Sequence, residues 1–195
     1  MKGEKRLRTF IAIELEEEVK DHLEKVQEKA AQLCRKGNYT PKENFHLTLH
    51  FLGEVTLEDI PYIQQAIMET TKYQQMFSLT LEKIGFFPRG REGILWAGVE
   101  KSTELFHLFQ VLERNLGKQG FAREKKGLSP HITLGREVEP YRSFGDVQKG
   151  VGFEKKEIHV AAISFMESVR KGRKLIYRPL LQQPLRKNRG NGRKK

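Results

Sequence analysis

The chain carries one short pattern twice, as His46-Leu47-Thr48-Leu49 and as His131-Ile132-Thr133-Leu134. Successive side chains of a β-strand point to opposite faces. Each stretch, read as a strand, therefore sets an imidazole beside a hydroxyl on one face. The two aliphatic residues of each stretch lie on the other face, where they serve as core anchors. A lone His-x-Thr is an ordinary surface pair. Its repetition in the second half, with the same apolar framing, points to a duplicated fold with a symmetric site between the copies.

The rest of the chain alternates helical and strand patterns. Leu7 to Glu14 reads as a strand. From Glu16 to about Leu33, the apolar residues Val19, Leu23, Val26, Ala30 and Leu33 recur at helical spacing. Arg35-Lys36-Gly37-Asn38 reads as the stop signal of that helix. Phe45 to Leu52 is the first motif strand, closed by Gly53. Thr56 and Asp59 offer a cap to a second helix with the stripe Ile60, Ile63 and Ile67. Phe77 to Glu82 alternates cleanly, Gly85 to Gly93 reads as a loop, and Ile94 to Val99 is a strand. Ser102 opens a third helix with the stripe Leu105, Leu108, Phe109, Leu112 and Leu116. Ser129 to Arg136 is the second motif strand, and Pro140 to Gly152 holds a short helix. Ile158 to Ser168 and Leu175 to Leu181 are strands joined by a hairpin turn at Arg170-Lys171-Gly172-Arg173. This order predicts an α+β fold with largely antiparallel sheets. No glycine-rich dinucleotide fingerprint and no P-loop is present.

At 195 residues the expectation is one bilobal domain over 1–184, with 185–195 a basic, disordered tail. The formal net charge is +11, of which the tail supplies six positive charges and no acid. The surplus on the body favours an anionic partner. No apolar run approaches the ~20 residues of a membrane span, and Thr9 to Ile13 is too short for a signal-peptide core. Cys34 is the single cysteine, so no internal disulfide can form. These features predict a cytoplasmic protein with no membrane partner; a monomer is the expectation, though nothing in the sequence fixes the oligomeric state.

Two imidazoles and two hydroxyls form a complete set for metal-free phosphoester cleavage. A histidine pKa of ~6.5 makes both protonation states accessible near neutrality. One ring can take a proton while the other gives one, and each threonine can hold a non-bridging phosphate oxygen. Metal binding is the rival use of the histidines, since His46 and His50 share a face under strict alternation. No acidic residue or cysteine in either motif completes a zinc set, and His50 reads as a rim residue. No metal and no cofactor is expected. His22, His107 and His159 are assigned no role. Phe86, Phe87, Arg89 and Arg91 could form a base-stacking and phosphate-contacting rim.

The two motifs in their context, Glu43-Asn44-Phe45-His46-Leu47-Thr48-Leu49-His50-Phe51-Leu52-Gly53 and Pro130-His131-Ile132-Thr133-Leu134-Gly135-Arg136, resemble the paired motifs of the two-histidine phosphoesterase superfamily. Arg8-Thr9-Phe10-Ile11-Ala12-Ile13, Trp96-Ala97-Gly98-Val99 and Met166-Glu167-Ser168 narrow the resemblance to the RNA 2′,3′-cyclic phosphodiesterases, first named 2′-5′ RNA ligases. It runs from about Leu7 to Leu181. The resemblance implies a bilobal, pseudo-twofold fold with a cleft between two antiparallel sheets. It implies hydrolysis of terminal RNA 2′,3′-cyclic phosphates to 2′-phosphates, with RNA ends as partners. His46 would be the proton donor and His131 the proton acceptor, with Thr48, Thr133 and Arg136 on the phosphate. Strict alternation sets Arg136 on the face opposite His131, so its role requires a twist or strand end at Gly135. Two other readings are a non-catalytic RNA- or nucleotide-binding module of this fold, and RNA joining by the reverse reaction.

Overall fold

The computed structural model describes residues 5–124, 127–172 and 174–187. Nine strands and four helices follow one another among them: β1 (Arg6–Glu14), α1 (Glu17–Gln32), β2 (Cys34–Tyr39), β3 (His46–Thr56), α2 (Ile60–Thr71), β4 (Phe77–Arg89), β5 (Glu92–Val99), α3 (Thr103–Lys118), β6 (His131–Pro140), α4 (Phe144–Val151), β7 (Lys156–Val160), β8 (Ala162–Lys171) and β9 (Lys174–Pro184). They build two antiparallel sheets, ordered β3-β1-β8-β9 and β2-β6-β5-β4-β7. Helices α2 and α3 pair with each other behind the first sheet, and α1 and α4 pair behind the second.

The helical stripes are buried as their spacing requires. In α1 these are Val19, Leu23, Val26 and Ala30; in α3, Leu105, Leu108, Phe109, Leu112 and Leu116. Ser102 caps α3 through its hydroxyl, which accepts from the Leu105 amide at 3.1 Å. Pro61 lies in the first turn of α2, where its missing N–H costs nothing.

Several boundaries differ from the sequence reading. Arg35 to Asn38 does not merely stop α1; it forms β2, an edge strand whose exposed charges suit a sheet border. The stretch expected as a loop, Gly85 to Gly93, is the β4–β5 hairpin, which turns only at Gly90 (φ +68) and Arg91. Its other glycines serve packing. A Cβ on Gly93 would stand 2.5 Å from the Phe86 ring. Ile158 to Ser168 is two strands in different sheets, β7 and β8.

The lobes are not the two halves of the chain. β8 and β9 return to pair beside β1, while β2 crosses to the second sheet. The chain also stays folded past Pro184. Leu185 is buried, and the Arg186 backbone bonds to Gln74 and Met76 at 2.9 Å each. Most of the expected tail, 188–195, lies outside the described residues.

Candidate active site

Both motifs line one cleft of about 690 Å³ between the sheets. His46 and Thr48 stand on β3, and His131, Thr133 and Arg136 on β6. Leu47, Leu49, Ile132 and Leu134 point the other way and are buried in the core. Hence the alternation that fixes the anchors also fixes the polar face.

The two histidines are held alike. His46 Nδ1 lies 2.7 Å from the carbonyl of Asn44, and His131 Nδ1 lies 2.7 Å from the carbonyl of Ser129. A carbonyl can only accept, so each Nδ1 carries the proton. Each Nε2 is then left for the cleft. The Asn44 side chain is itself fixed, donating to the Leu175 carbonyl at 2.8 Å. Aromatic rings confine both imidazoles. Phe10 and Tyr177 lie 4.8 and 5.1 Å from His46, and Phe87 and Trp96 lie 5.3 and 6.4 Å from His131. Burial pushes the His46 pKa below its usual value; the Asn44 carbonyl on its Nδ1–H offsets part of this, and the nearby Arg136 guanidinium adds to the lowering.

A β-bulge sits at the same place in each motif. Ala12 pairs with Thr48 and Ile11 with His50, so β3 carries an extra residue at Leu49. Trp96 pairs with Thr133 and Leu95 with Gly135, so β6 carries one at Leu134. A bulge reverses the parity of every residue beyond it. Arg136 therefore joins His131 in the cleft, and Phe51 occupies the matching position of the first motif. The same reversal corrects the reading of His50. It is not a rim residue and does not share the face of His46. It is buried on the helix side, where its Nδ1 bonds to Glu113 of α3. His46, His50 and His131 thus cannot converge on one metal, and among the described residues no cluster of His, Cys, Asp or Glu has metal-ligand spacing.

Each bulge is pinned by the helix of the opposite strand–helix–strand unit. Gln27 of α1 donates to the Leu134 carbonyl at 2.7 Å and to the Thr40 carbonyl at 2.8 Å. Glu113 of α3 accepts from His50 and from the Glu124 amide. Gln27 and Glu113 are both the eleventh residue of a 16-residue helix. The pseudo-twofold relation thus extends from the motifs to the residues that brace them.

The expected aromatic rim is divided. Phe87 borders His131, but Phe86 stacks on Phe144 at 5.2 Å on the opposite face. Arg89 and Arg91 are at the hairpin tip and do not line the cleft. Phe10, Phe51, Tyr177, Arg8 and Arg170 do line it, and sequence reasoning did not single them out as site residues. The parity of Phe10 with Ala12 and of Tyr177 with Leu175 was readable in principle. What faces them depends on the pairing of distant strands.

A family model described as "LigT like Phosphoesterase" matches residues 13–96. An RNA 2′,3′-cyclic phosphodiesterase of Thermotoga maritima is 37% identical over 131 residues, which cover 67% of this chain and 70% of that protein. The chain belongs to the LigT-like phosphoesterase family. An Archaeoglobus fulgidus protein of the same name is 28% identical over 89% of this chain and 98% of its own length. Among solved structures, a Thermus thermophilus protein superposes with a TM-score of 0.77 at 24% identity, covering 93% of this chain and 99% of that one. Escherichia coli LigT bound to 3′-AMP gives 0.74 at 24% identity, with the same coverage. These structural likenesses establish the fold.

Proposed function

We propose that this protein hydrolyses the terminal 2′,3′-cyclic phosphate of RNA to a 2′-phosphate, without a metal ion. One observation carries the reading. Two imidazoles, each with Nδ1–H fixed on the carbonyl two residues earlier, offer Nε2 to a single cleft. The relatives in Thermotoga maritima and Archaeoglobus fulgidus that bear the name RNA 2′,3′-cyclic phosphodiesterase support the substrate class.

In the proposed step, His131 Nε2 takes a proton from water and the oxygen attacks phosphorus. The bond from phosphorus to O3′ breaks, and His46 Nε2 delivers its proton to that oxygen. The products are a 2′-phosphate and a free 3′-hydroxyl. His131 leaves the step protonated and His46 neutral, and exchange with solvent resets both. Thr48 and Thr133 donate to the two non-bridging oxygens, and Arg136 balances the negative charge that develops on them. Each proton transfer contributes roughly a hundred- to ten-thousand-fold.

The donor must be protonated, yet burial holds His46 below the usual histidine range in the free protein. A cyclic phosphate monoanion in the cleft offsets that penalty, because a negative charge near an imidazole favours its charged form. Substrate binding thus charges the acid.

The test is an oligoribonucleotide ending in a 2′,3′-cyclic phosphate, incubated with the protein in excess chelator, with phosphorus NMR of the product. A 2′-phosphate is expected. A 3′-phosphate overturns the assignment of the broken bond, and loss of turnover in chelator overturns the metal-free mechanism.

A further inference from the structure

Along the first sheet, charge changes sign from the His46 end, just beyond the cleft lining, to the far end of the cleft. At the His46 end stands Glu14, directly opposite His46 in the β1–β3 register. Its carboxylate accepts from Ser164 and from Gln182, the latter at 3.1 Å, and so is held in place. At the far end stand Arg8 on β1 and Arg170 on β8, both exposed and both lining the same cleft as the histidines. Thr9 pairs with Glu167, which brings Arg8 opposite Ser168 and diagonal to Arg170. No carboxylate among the described residues forms an ion pair with either arginine. Both guanidinium groups are thus left without an acidic partner among those residues. Beyond them, the β8–β9 turn adds Lys171 and Lys174.

We infer that Arg8 and Arg170 form a second phosphate subsite, which takes an internucleotide phosphate of the RNA on the 5′ side of the terminal nucleotide. The inference rests on the hydrolase reading above and extends it to the length of substrate the cleft accepts. Thr48 is opposite Ala12, and Arg8 lies four residues along the same strand. At ~3.3 Å per residue the two backbone positions are about 13 Å apart. A mononucleotide held by its terminal phosphate does not bring another phosphate there, whereas a short oligonucleotide does. The polarity along this sheet sets the direction. A chain carrying one negative charge per nucleotide is repelled by the fixed Glu14 carboxylate and drawn towards the arginine end. Arginine suits such a subsite because its planar fork matches two phosphate oxygens at once.

The experiment compares two substrates, a mononucleoside 2′,3′-cyclic phosphate and an oligoribonucleotide with the same terminus. Both are assayed with the wild type, Arg8→Ala/Arg170→Ala and Arg8→Lys/Arg170→Lys. For the alanine variant, the oligonucleotide KM is expected to rise roughly tenfold to a hundredfold with kcat unchanged. The mononucleotide parameters stay at wild-type values, which also shows that the variant is folded. The dependence of log KM on log salt for the oligonucleotide becomes shallower by about 1.4, as for two lost contacts to a single strand. The lysine variant recovers part of the affinity. Equal losses on both substrates, or no loss on the oligonucleotide, overturn the subsite and leave the hydrolase reading standing. A wild type that turns over neither substrate overturns both.

Discussion

Gly85→Ala is a one-carbon perturbation that reaches the site through a single ring. Gly85 is directly opposite Trp96 in the β4–β5 hairpin, and the indole lies across it. A Cβ at position 85 would stand 2.0 Å from Trp96 Cζ2 and 2.2 Å from Cη2. Carbon atoms in contact need about 3.5 Å, so the ring must retreat by roughly 1.5 Å. Phe87, 5.0 Å away, and His131, 6.4 Å away, flank the same ring. Displacement therefore disturbs the wall that confines the second imidazole. Overpacking of this kind costs about 1–3 kcal/mol, which for a chain of this size lowers Tm by about 2–12 °C. A displacement of about 1 Å at a reacting group can cost a hundredfold in rate. Trp96 is the only tryptophan, so its emission reports this ring and no other. Thermal unfolding, tryptophan fluorescence and turnover of a cyclic phosphate would be measured together. The expected result is a lower Tm, an altered emission spectrum and a reduced kcat. An unchanged Tm with unchanged emission would show that the indole is not seated on Gly85, and the argument for this wall would fall with it.

In the proposed mechanism the two threonines hold the phosphate by hydrogen bonding. Thr48→Val and Thr133→Val should therefore each lower kcat/KM by about ten- to a hundredfold with little change in Tm, as for one hydrogen bond to a charged group; rates within twofold of wild type would remove them from the site. Proton traffic at His46 is open to calorimetry. A cyclic phosphate binding to the His131→Ala variant, whose turnover is expected to be slow on the timescale of binding, should take up protons near pH 7, seen as a dependence of the binding heat on buffer ionisation, and His46→Gln should abolish the uptake. Proton release on binding would contradict the charging of His46 by substrate. The same lowered pKa has a folding consequence. The unfolded imidazole binds its proton near pH 6.5 and the folded one only at lower pH, so stability is intact above that value and declines as pH falls below it. Urea titrations of His46→Gln should show a shallower acid decline than wild type, and parallel curves would refute the assignment.

Much of this architecture was legible in the sequence, and the part that was not has a common cause. The helical stripes of α1 and α3 and the faces of both motifs follow from periods of 3.6 and 2, which a single chain displays directly. The two bulges do not. Whether Leu49 or Leu134 is an extra residue depends on the strand across from it, and that strand is far away in the sequence. A strict period therefore set His50 beside His46 and turned Arg136 away, and one extra residue in each strand reverses both placements. The arginine was still named as a candidate, because the family resemblance marked it, and it does line the cleft. His50 had no such marker. β2 hid for a different reason. As an edge strand it carries the polar residues that also end helices. The β4–β5 hairpin hid because Gly85 and Gly93 read as turn residues, whereas they make room for Trp96 and Phe86. The interleaving of the lobes is a matter of non-local pairing throughout.

The central claim is that His46 and His131 act as one acid–base unit on a single phosphate. It is tested most directly by the kcat of His46→Ala, His131→Ala and the double variant on one cyclic phosphate substrate. Groups that serve the same step are not additive. Each single variant is expected to lose roughly a hundred- to ten-thousand-fold, and the double variant little more than the worse single. If instead the two losses multiply, or if either single variant keeps near wild-type turnover, the histidines do not share one transition state and the account fails.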